Sequence, residues 1–376
     1  MLVGWNHDSN EEWVESIADR RPGSFGRTRD RVIFEGSLKK GVESSPYPWA
    51  SKIFNHPWYQ KADVIHLQIV HDGTLDFKSI QRIIEEKPTI WTWHDPWQMT
   101  GHCIYPMDCP RWEKGCGDCP DLHRPFKIEV DRTKEMRIAK KKLVEKNYVL
   151  HVASQWFADF ISTDKYASPP IPDVLPFGLK SSWAGKTTRK ISRESLRIPE
   201  SNFVIGLRSV DEPQKNVEIV KSALRNLPSN LNLTVLTIQN LGKFKEFDQD
   251  FQIVEIPWTN DNELIAKYFS AMDLFVMPSL WETYGFMALE AMSYGIPVAG
   301  FDGTATSEVC DLPSNGFIIK ENTGQSLAKT IEYAIADKIN LKEKGDLSLK
   351  FVRETRSYST FLEKLSDLYV DALARF

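Results

Sequence analysis

The chain has 376 residues, of which 41% are hydrophobic and 26% charged, so we expect about two folded domains and exclude a largely disordered protein. The formal net charge of -4 gives no electrostatic reason to expect nucleic acid as a partner. No stretch approaches the ~20 apolar residues of a membrane span, and the first residues lack the basic start and apolar centre of a signal peptide. We therefore expect a cytoplasmic protein.

The first half of the chain alternates between strand and helix patterns. Residues 1–60 are loop-like, except for one short strand candidate at 31–34. Buried strands are then predicted at 62–70, 89–93 and 148–154, and helices at 75–86, 132–146 and 155–162. This alternation predicts a parallel sheet with helices on its faces.

A proline- and glycine-rich stretch at 168–185 marks a domain boundary. We assign residues 1–170 to a first domain, 171–355 to a second and 356–376 to a C-terminal helix. In the second domain, strands are predicted at 203–207, 231–238, 251–256, 274–277, 296–301 and 316–319. Helices are predicted there at 217–227, 263–271, 286–294 and 324–336, followed by two terminal helices.

The most informative stretch is 277–309, in which Gly285 marks a tight turn before the helix at 286–294. Ligands of open α/β sheets lie beyond the carboxyl ends of the strands, and a helix N-terminus attracts phosphate. Glu282 and Glu290 lie on either side of this helix start, where carboxylates accept hydrogen bonds from sugar hydroxyls. The spacing suits a nucleotide-sugar; the alternative is a helix cap and a solvated helix position.

The same stretch resembles the donor-binding segment of the retaining glycosyltransferases of family 4, which have the GT-B fold. The matching residues are Pro278, Ser279, Glu282, Gly285, Phe286, Glu290, Ala291, Gly295, Pro297, Val298, Gly303 and Glu308. The resemblance implies two Rossmann-like domains facing each other across a cleft, with the last helix crossing back to the N-terminal domain. It also implies a catalytic role for Glu282, and donor-binding roles for Ser279, Tyr284, Gly285, Phe286, Glu290, Gly303 and Thr304.

Two basic residues are candidates for holding a diphosphate leaving group. Arg208 follows a predicted strand and Lys215 precedes the next helix, in the segment GLRSVDEPQKN. This segment resembles the Arg…Lys phosphate motif of the same family, which implies a metal-independent reaction that requires no cofactor. The alternative is two solvated basic residues near a loop.

His94 ends a strand of the first domain, and a lone histidine is more often structural than catalytic. The segment WTWHDPWQMTGHC, however, resembles the family's strand-end His-Asp segment. That resemblance implies that His94 faces the donor sugar across the cleft and stabilises positive charge near the anomeric carbon.

Four of the five cysteines lie in a loop predicted at 96–125, with the spacing Cys103-x5-Cys109-x6-Cys116-x2-Cys119. Four thiolates suit a tetrahedral, structural zinc ion, and Cys-x2-Cys is the usual spacing of one ligand pair. Reduced thiols or a facultative disulfide remain open. The loop resembles an insertion in a bacterial polysaccharide-biosynthesis subset of the same family.

We interpret the chain as a retaining glycosyltransferase that moves a hexose from a UDP- or GDP-sugar to a glycan or lipid-linked saccharide. Peripheral membrane contact through basic residues 134–146 is open, although a solvated helix face is favoured there. No clear glycine-rich loop follows a first strand, since GSFG at 23–26 is a poor substitute. A binding or scaffold protein without turnover is therefore the second hypothesis, and a GT-B nucleotide-sugar epimerase is the third.

Overall fold

A computed structural model describes residues 2–3, 12–17, 25–42, 46–71, 73–124, 127–180 and 187–376. The chain divides into two compact units. The first contains Met1–Val152, Phe157–Leu175 and Lys364–Phe376, and the second contains Ala153–Trp156 and Pro176–Glu363. The GSFG segment at 23–26, a poor substitute for the family's glycine-rich loop, falls partly outside the described residues, which do not include 4–11 and 18–24.

The first unit is built on a parallel sheet. The strands in this half of the chain are β1 (Leu2–Val3), β2 (Glu15–Ser16), β3 (Ile65–Leu67), β4 (Thr89–Thr92), β5 (Val149–Val152) and β6 (Asp173–Val174). The helices are α1 (Phe25–Lys39), α2 (Pro57–Lys61), α3 (Phe77–Glu86), α4 (Thr133–Val144) and α5 (Gln155–Ser162). The sheet has the order β3-β4-β5-β6 with every pair parallel, while β1 and β2 form a separate parallel pair. The expected parallel sheet is present.

The strand predicted at 31–34 is wrong, because these residues lie within α1. The short apolar run Val32-Ile33-Phe34 favoured a strand, but the buried side chains of this segment are spaced three to four residues apart, at Asp30, Phe34 and Ser37. That spacing places them on one face of a helix. The i,i+4 pair of Arg31 and Glu35, 2.6 Å apart, supports the same helix on its exposed face.

The second unit contains a larger parallel sheet. Its strands are β7 (Phe203–Ser209), β8 (Leu233–Gln239), β9 (Gln252–Pro257), β10 (Leu274–Met277), β11 (Val298–Phe301) and β12 (Gly316–Ile319). Its helices are α6 (Arg189–Ser195), α7 (Val217–Asn226), α8 (Asn262–Ser270), α9 (Phe286–Ser293), α10 (Ala305–Val309), α11 (Gly324–Ala336) and α12 (Lys338–Thr355). A last helix, α13 (Tyr358–Arg375), begins in this unit.

The order of the six strands is β12-β11-β10-β7-β8-β9. From β7 the chain builds outward through β8 and β9, and then returns to place β10 on the other side of β7. The strand order therefore reverses between β7 and β10, and the carboxyl ends of these two neighbours flank the crevice where open α/β sheets bind ligands. Buried apolar side chains cover both faces of the sheet.

The end of α13 belongs to the first unit, as the predicted return of the last helix to the N-terminal domain requires. Ala372 packs against Ile90 of β4 and Val149 of β5. The hydroxyl of Tyr369 lies 3.0 Å from Nδ1 of His66 in β3. No helix in the described part of the chain combines the length and apolar character that a membrane span requires.

Candidate active site

The two loops that follow β7 and β10 are tied to each other at the point where the strand order reverses. The Leu280 N–H donates to the Gln214 carbonyl at 2.8 Å. The Asn216 side chain, on a residue with a φ of +52°, donates to the Pro278 carbonyl at 3.2 Å. These bonds hold the loop that carries Lys215 against the loop that carries Glu282.

Lys215 and Glu282 are in direct contact, with the ammonium group donating to Oε1 of the carboxylate. The Lys215 side chain is 16% exposed and that of Glu282 is 11% exposed, so both charges are largely withdrawn from water. Each charge is compensated by the other, and both side chains are fixed at the carboxyl edge of the sheet. The sequence predicted different roles for the two residues, with Lys215 at the diphosphate and Glu282 at the sugar hydroxyls. The structure brings the two side chains into contact.

Arg208 lies inside β7, which extends two residues beyond its predicted end. Its Nε donates to Oε1 of Gln239 at 2.6 Å, and Gln239 has a φ of +105°, which is unusual for a residue other than glycine. The guanidinium carbon lies 5.5 Å from the ring centre of Trp258, whose side chain is 59% exposed. Gln239 and Trp258 orient Arg208, and neither residue is predicted from the sequence.

Glu290 lies in the second turn of α9 and is half-buried. Burial raises the pKa of its carboxyl group to about 7, and the charge of Arg208 opposes this shift. Arg208 and Glu290, predicted from separate segments, therefore interact across this edge. The carboxyl group changes its charge near neutral pH.

The N-terminus of α9 is open. Its N-cap, Gly285, has a φ of +91° and no side chain to cap the helix. A Cβ atom at Gly285 would lie 3.0 Å from the Cε of Met277, so the turn requires glycine both sterically and conformationally. The orphan N–H groups of a helix start attract anions.

The remaining predicted donor-binding residues of this loop differ in exposure. Ser279 is buried, whereas Phe286 is 41% exposed. The Tyr284 hydroxyl donates to the Phe177 carbonyl, and burial raises the pKa of this phenol. The side chain of Tyr284 thereby holds the loop in place.

The loop after β11 carries Gly303 and Thr304. Gly303 has a φ of +88°, and its carbonyl accepts from Nε1 of Trp156 at 2.9 Å. Thr304 is the N-cap of α10 and accepts from the Thr306 N–H at 3.3 Å. The Ala305 N–H donates to the Glu282 carbonyl at 3.3 Å, which places this loop beside the Glu282 loop.

Glu308 has a structural duty. Its two carboxylate oxygens accept from the backbone N–H groups of Gln155 and Trp156, each at 2.7 Å. Both oxygens are occupied by the start of α5.

In the first unit, His94 follows β4 and its Nε2 lies 2.7 Å from Oε1 of Gln68. Burial is the main cause that lowers the pKa of His94, to about 4, and the adjacent Asp95 opposes the shift. The imidazole is therefore neutral at pH 7. Its predicted role toward a sugar stays a prediction.

The cysteine-rich loop forms a small recess, partly open to solvent, within the first unit. Cys103, Cys109, Cys116 and Cys119 all line it and all are free thiols. Within the described residues, no group of three or more His, Cys, Asp and Glu side chains is arranged so that it could hold a metal ion. The predicted zinc ion stays a prediction.

Comparison with known proteins gives a family match for the second unit. Residues 188–350 match the family model described as "Glycosyl transferases group 1". The chain is 25% identical over 294 residues, 73% of its length, to WcaC of Escherichia coli (strain K12). The name of WcaC assigns it to colanic acid biosynthesis as a glycosyl transferase. The alignment covers 68% of WcaC.

Solved structures extend the likeness to most of the chain. Sucrose-phosphate synthase from Thermosynechococcus elongatus matches with a TM-score of 0.69 at 16% identity, covering 96% of this chain and 83% of that one. Anabaena Alr3699/HepE, solved in complex with UDP and glucose, matches with a TM-score of 0.62 at 18% identity, covering 94% and 85% respectively. These matches confirm the predicted GT-B fold.

Proposed function

We propose that this chain, whose residues 188–350 match the glycosyl transferases group 1 model, is a retaining hexosyltransferase that uses a UDP- or GDP-sugar donor. The acceptor is a glycan or a lipid-linked saccharide. One observation carries the proposal: two basic side chains, two carboxyl groups and an uncapped helix start converge beyond the adjacent strands β7 and β10. The name of WcaC supports a polysaccharide product.

Arg208 and Lys215 neutralise the charge that develops on the departing diphosphate. Each is held by a specific partner, Gln239 and Glu282 respectively, so neither side chain must be ordered when the donor binds. A preorganised donor of this kind lowers a barrier by about 2.7–4 kcal/mol. The open N-terminus of α9 adds backbone N–H groups and the positive end of the helix dipole.

The two carboxyl groups bind the neutral parts of the donor. Glu282, fixed by Lys215, accepts hydrogen bonds from hexose hydroxyls, and Glu290 accepts from the ribose. The ionised form of Glu290 is the stronger acceptor, because neither of its oxygens carries a proton. Donor binding therefore favours the carboxylate over the carboxylic acid that burial stabilises in the free protein.

The transfer proceeds on one face of the hexose. The bond between the anomeric carbon and the diphosphate oxygen breaks, a bond to the acceptor oxygen forms on the same face, and the acceptor proton passes to the departing phosphate. No side chain is required as the general base. Arg208 and Lys215 supply the positive charge that a metal ion supplies in other transferases, so we propose a metal-independent reaction.

A donor panel tests the proposal. UDP- and GDP-hexoses are incubated with and without saccharide acceptors, release of the nucleoside diphosphate is measured, and NMR determines the anomeric configuration of the product. We expect acceptor-dependent release from one donor class, a retained configuration, and a rate that does not depend on added Mg²⁺ or Mn²⁺.

Three outcomes would overturn this function in distinct ways. Donor binding without turnover across the acceptor panel identifies a binding or scaffold protein. A changed nucleotide-sugar without transfer identifies an epimerase. An inverted linkage keeps the transfer but removes the retaining mechanism.

A further inference from the structure

We propose that the recess in the cysteine-rich loop is a structural zinc site whose four ligands are Cys103, Cys109, Cys116 and Cys119. The proposal does not depend on the identity of the reaction. All four sulfur-bearing side chains line the same recess, although the sequence spreads them over 17 residues. Four thiolates supplied by the lining of one recess are the soft ligand set that tetrahedral Zn²⁺ prefers.

The backbone around the closing ligand pair forms a tight left-handed turn. Gly115, Cys116, Gly117 and Asp118 have consecutive φ values of +97°, +61°, +95° and +46°. Cys116 and Asp118 adopt this left-handed conformation without being glycine, and such a conformation persists only where the surroundings fix it. Two metal–sulfur bonds from Cys116 and Cys119 would fix this turn at both ends.

Polar groups around the recess are arranged as the outer partners of a metal–thiolate cluster. The Gly101 N–H donates to Sγ of Cys116 at 3.2 Å. Nε2 of His102 lies 3.4 Å from Sγ of Cys119, which makes His102 a partner of that ligand and leaves the coordination to sulfur. Such contacts orient ligating side chains and tune the metal.

Charges of both signs lie near the recess, since Arg137 pairs with Asp164 and Asp131 acts electrostatically on Cys119. Zn²⁺ with four thiolates carries a net charge of -2, so burial of the cluster requires positive neighbours. Arg124 lines the recess, and the cationic groups of Arg137 and Lys140 act electrostatically on Cys116. Arg137 and Lys140 are nearly inaccessible to solvent, which reduces the screening of their charges.

The site would stabilise the segment that follows His94. Lys140 donates to the Trp97 carbonyl at 3.0 Å and Arg137 to the Gln98 carbonyl at 3.4 Å. The Thr100 hydroxyl donates to the Cys103 carbonyl.

No three of the ligands converge in the described residues. We therefore expect cysteine side chains to rotate inward when the metal binds.

Metal analysis of the full chain tests the proposal. The protein is purified under reducing conditions without a metal-affinity step, and its zinc content is measured by mass spectrometry. We expect one zinc per chain. Co²⁺ exchanged into the site should give the charge-transfer and d–d bands of tetrahedral cobalt with four sulfur ligands, and binding to the reduced apoprotein should release protons from the thiols.

Substitutions then identify the ligands. Cys109→Ser and Cys116→Ser should each lose the zinc, whereas Cys310→Ala, which changes a buried cysteine outside the loop, should retain it. His102→Ala should also retain zinc and the four-sulfur cobalt spectrum. Far-UV circular dichroism of the same samples separates loss of the ligand from loss of the fold.

Several results would overturn the site. One is an absence of zinc in the wild type even after incubation with ZnCl₂, with four reactive thiols in the loop. Another is a loop disulfide seen by mass spectrometry under non-reducing conditions in fully active protein. Loss of zinc from His102→Ala, together with retention in one Cys→Ser variant, would replace the four-sulfur ligand set.

Discussion

The two parallel sheets place different chemistry at the ends of their strands. In the second unit the groups beyond β7 and β10 carry full charges, namely Arg208 and the Lys215–Glu282 pair. In the first unit a neutral pair, Gln68 and His94, lies beyond β3 and β4, and the adjacent carboxyl group of Asp95 is paired with His71 at 3.0 Å. The same topology thus provides one edge suited to an anion and another suited to uncharged hydroxyl groups.

A chain of hydrogen bonds across β3, β4 and β5 of the first unit contains two further histidines that burial keeps neutral. Nε2 of His151 donates to the Leu175 carbonyl at 2.9 Å. Nδ1 of the same ring is therefore unprotonated and accepts from the Thr92 hydroxyl at 2.7 Å. The Thr92 oxygen lies 2.6 Å from Nε2 of His66. Burial lowers the pKa of His151, and lowers that of His66 to about 3. Protonation would add positive charge to an already satisfied and buried chain.

The strongest test of the charged edge is Lys215→Ala. Loss of the ammonium group removes one preorganised partner of the diphosphate and leaves the Glu282 carboxylate buried without its counter-ion. We expect a fall in kcat of about 10²–10³-fold, measured by release of nucleoside diphosphate in the presence of acceptor.

Lys221→Ala is the matched control for Lys215→Ala. Lys221 lies in α7 and pairs with exposed Glu218, so its loss should leave kcat within about twofold. Near-normal turnover in Lys215→Ala would contradict the catalytic role of this residue. Glu282→Gln should lower kcat by a similar factor, because it removes the other half of the same ion pair.

Gly285→Ala tests the backbone on which the charged edge depends. A φ of +91° and a Cβ only 3.0 Å from the Cε of Met277 strain any other residue, so we expect a loss of about 1–3 kcal/mol in unfolding free energy. Donor affinity should fall in parallel, because the start of α9 shifts. Chemical denaturation and calorimetric titration of the donor measure the two effects.

The control for this glycine is Gly36→Ala in α1, where an added Cβ meets nothing within 4 Å. An alanine in a helix interior favours folding by about 0.5–1 kcal/mol relative to glycine. Equal effects from the two substitutions would contradict the special conformation assigned to Gly285.

Glu290→Gln sharpens the comparison through pH. In the wild type, donor affinity should rise as pH increases through about 7, because the carboxyl group whose pKa is raised to that value ionises. The glutamine variant should bind about tenfold more weakly at high pH, as expected for loss of a charged hydrogen bond, and this pH dependence should disappear. Calorimetry across this range measures both; a flat wild-type profile would contradict the role of Glu290.

The smallest expected effect concerns the neutral edge. NMR titration of His94 should show protonation near pH 4 instead of near 6.5. The folded state disfavours the charged imidazole. The contribution of His94 to the free energy of unfolding is therefore fully present above its ordinary pKa of 6.5, and it is lost as pH falls from about 6.5 toward 4. A His94 titration midpoint above 6 would show that burial does not lower this pKa, and would contradict the neutral environment assigned to this edge.

The sequence predicted most of the second sheet because the residues that define each strand and helix there are neighbours in the chain. The turn at Gly285 and the helix α9 are examples, since the glycine and the apolar face lie within one short segment. Gln239 and Trp258 escaped prediction because they reach Arg208 from the ends of β8 and β9 through tertiary packing. An exposed tryptophan directly after a strand was the available signal.

In the first unit the local pattern was less informative. The run Val32-Ile33-Phe34 resembles a strand, and only the contacts of α1 show its helical spacing. The strand predicted at 62–70 shortens to three residues because few neighbouring residues pair with it. The neutral state of His94 also depends on burial, which no sequence pattern reveals.

The position of α13 has a consequence for biosynthesis. Ala372 and Tyr369 complete the packing around β3, β4 and β5, yet the ribosome makes them only after the whole second unit. The unit that is translated first is therefore the last to acquire its full core. Until α13 has been made, Ile90 and Val149 in its sheet stay incompletely covered. A fragment that ends before α13 should consequently depend on chaperones, and a separately supplied α13 peptide should restore its solubility.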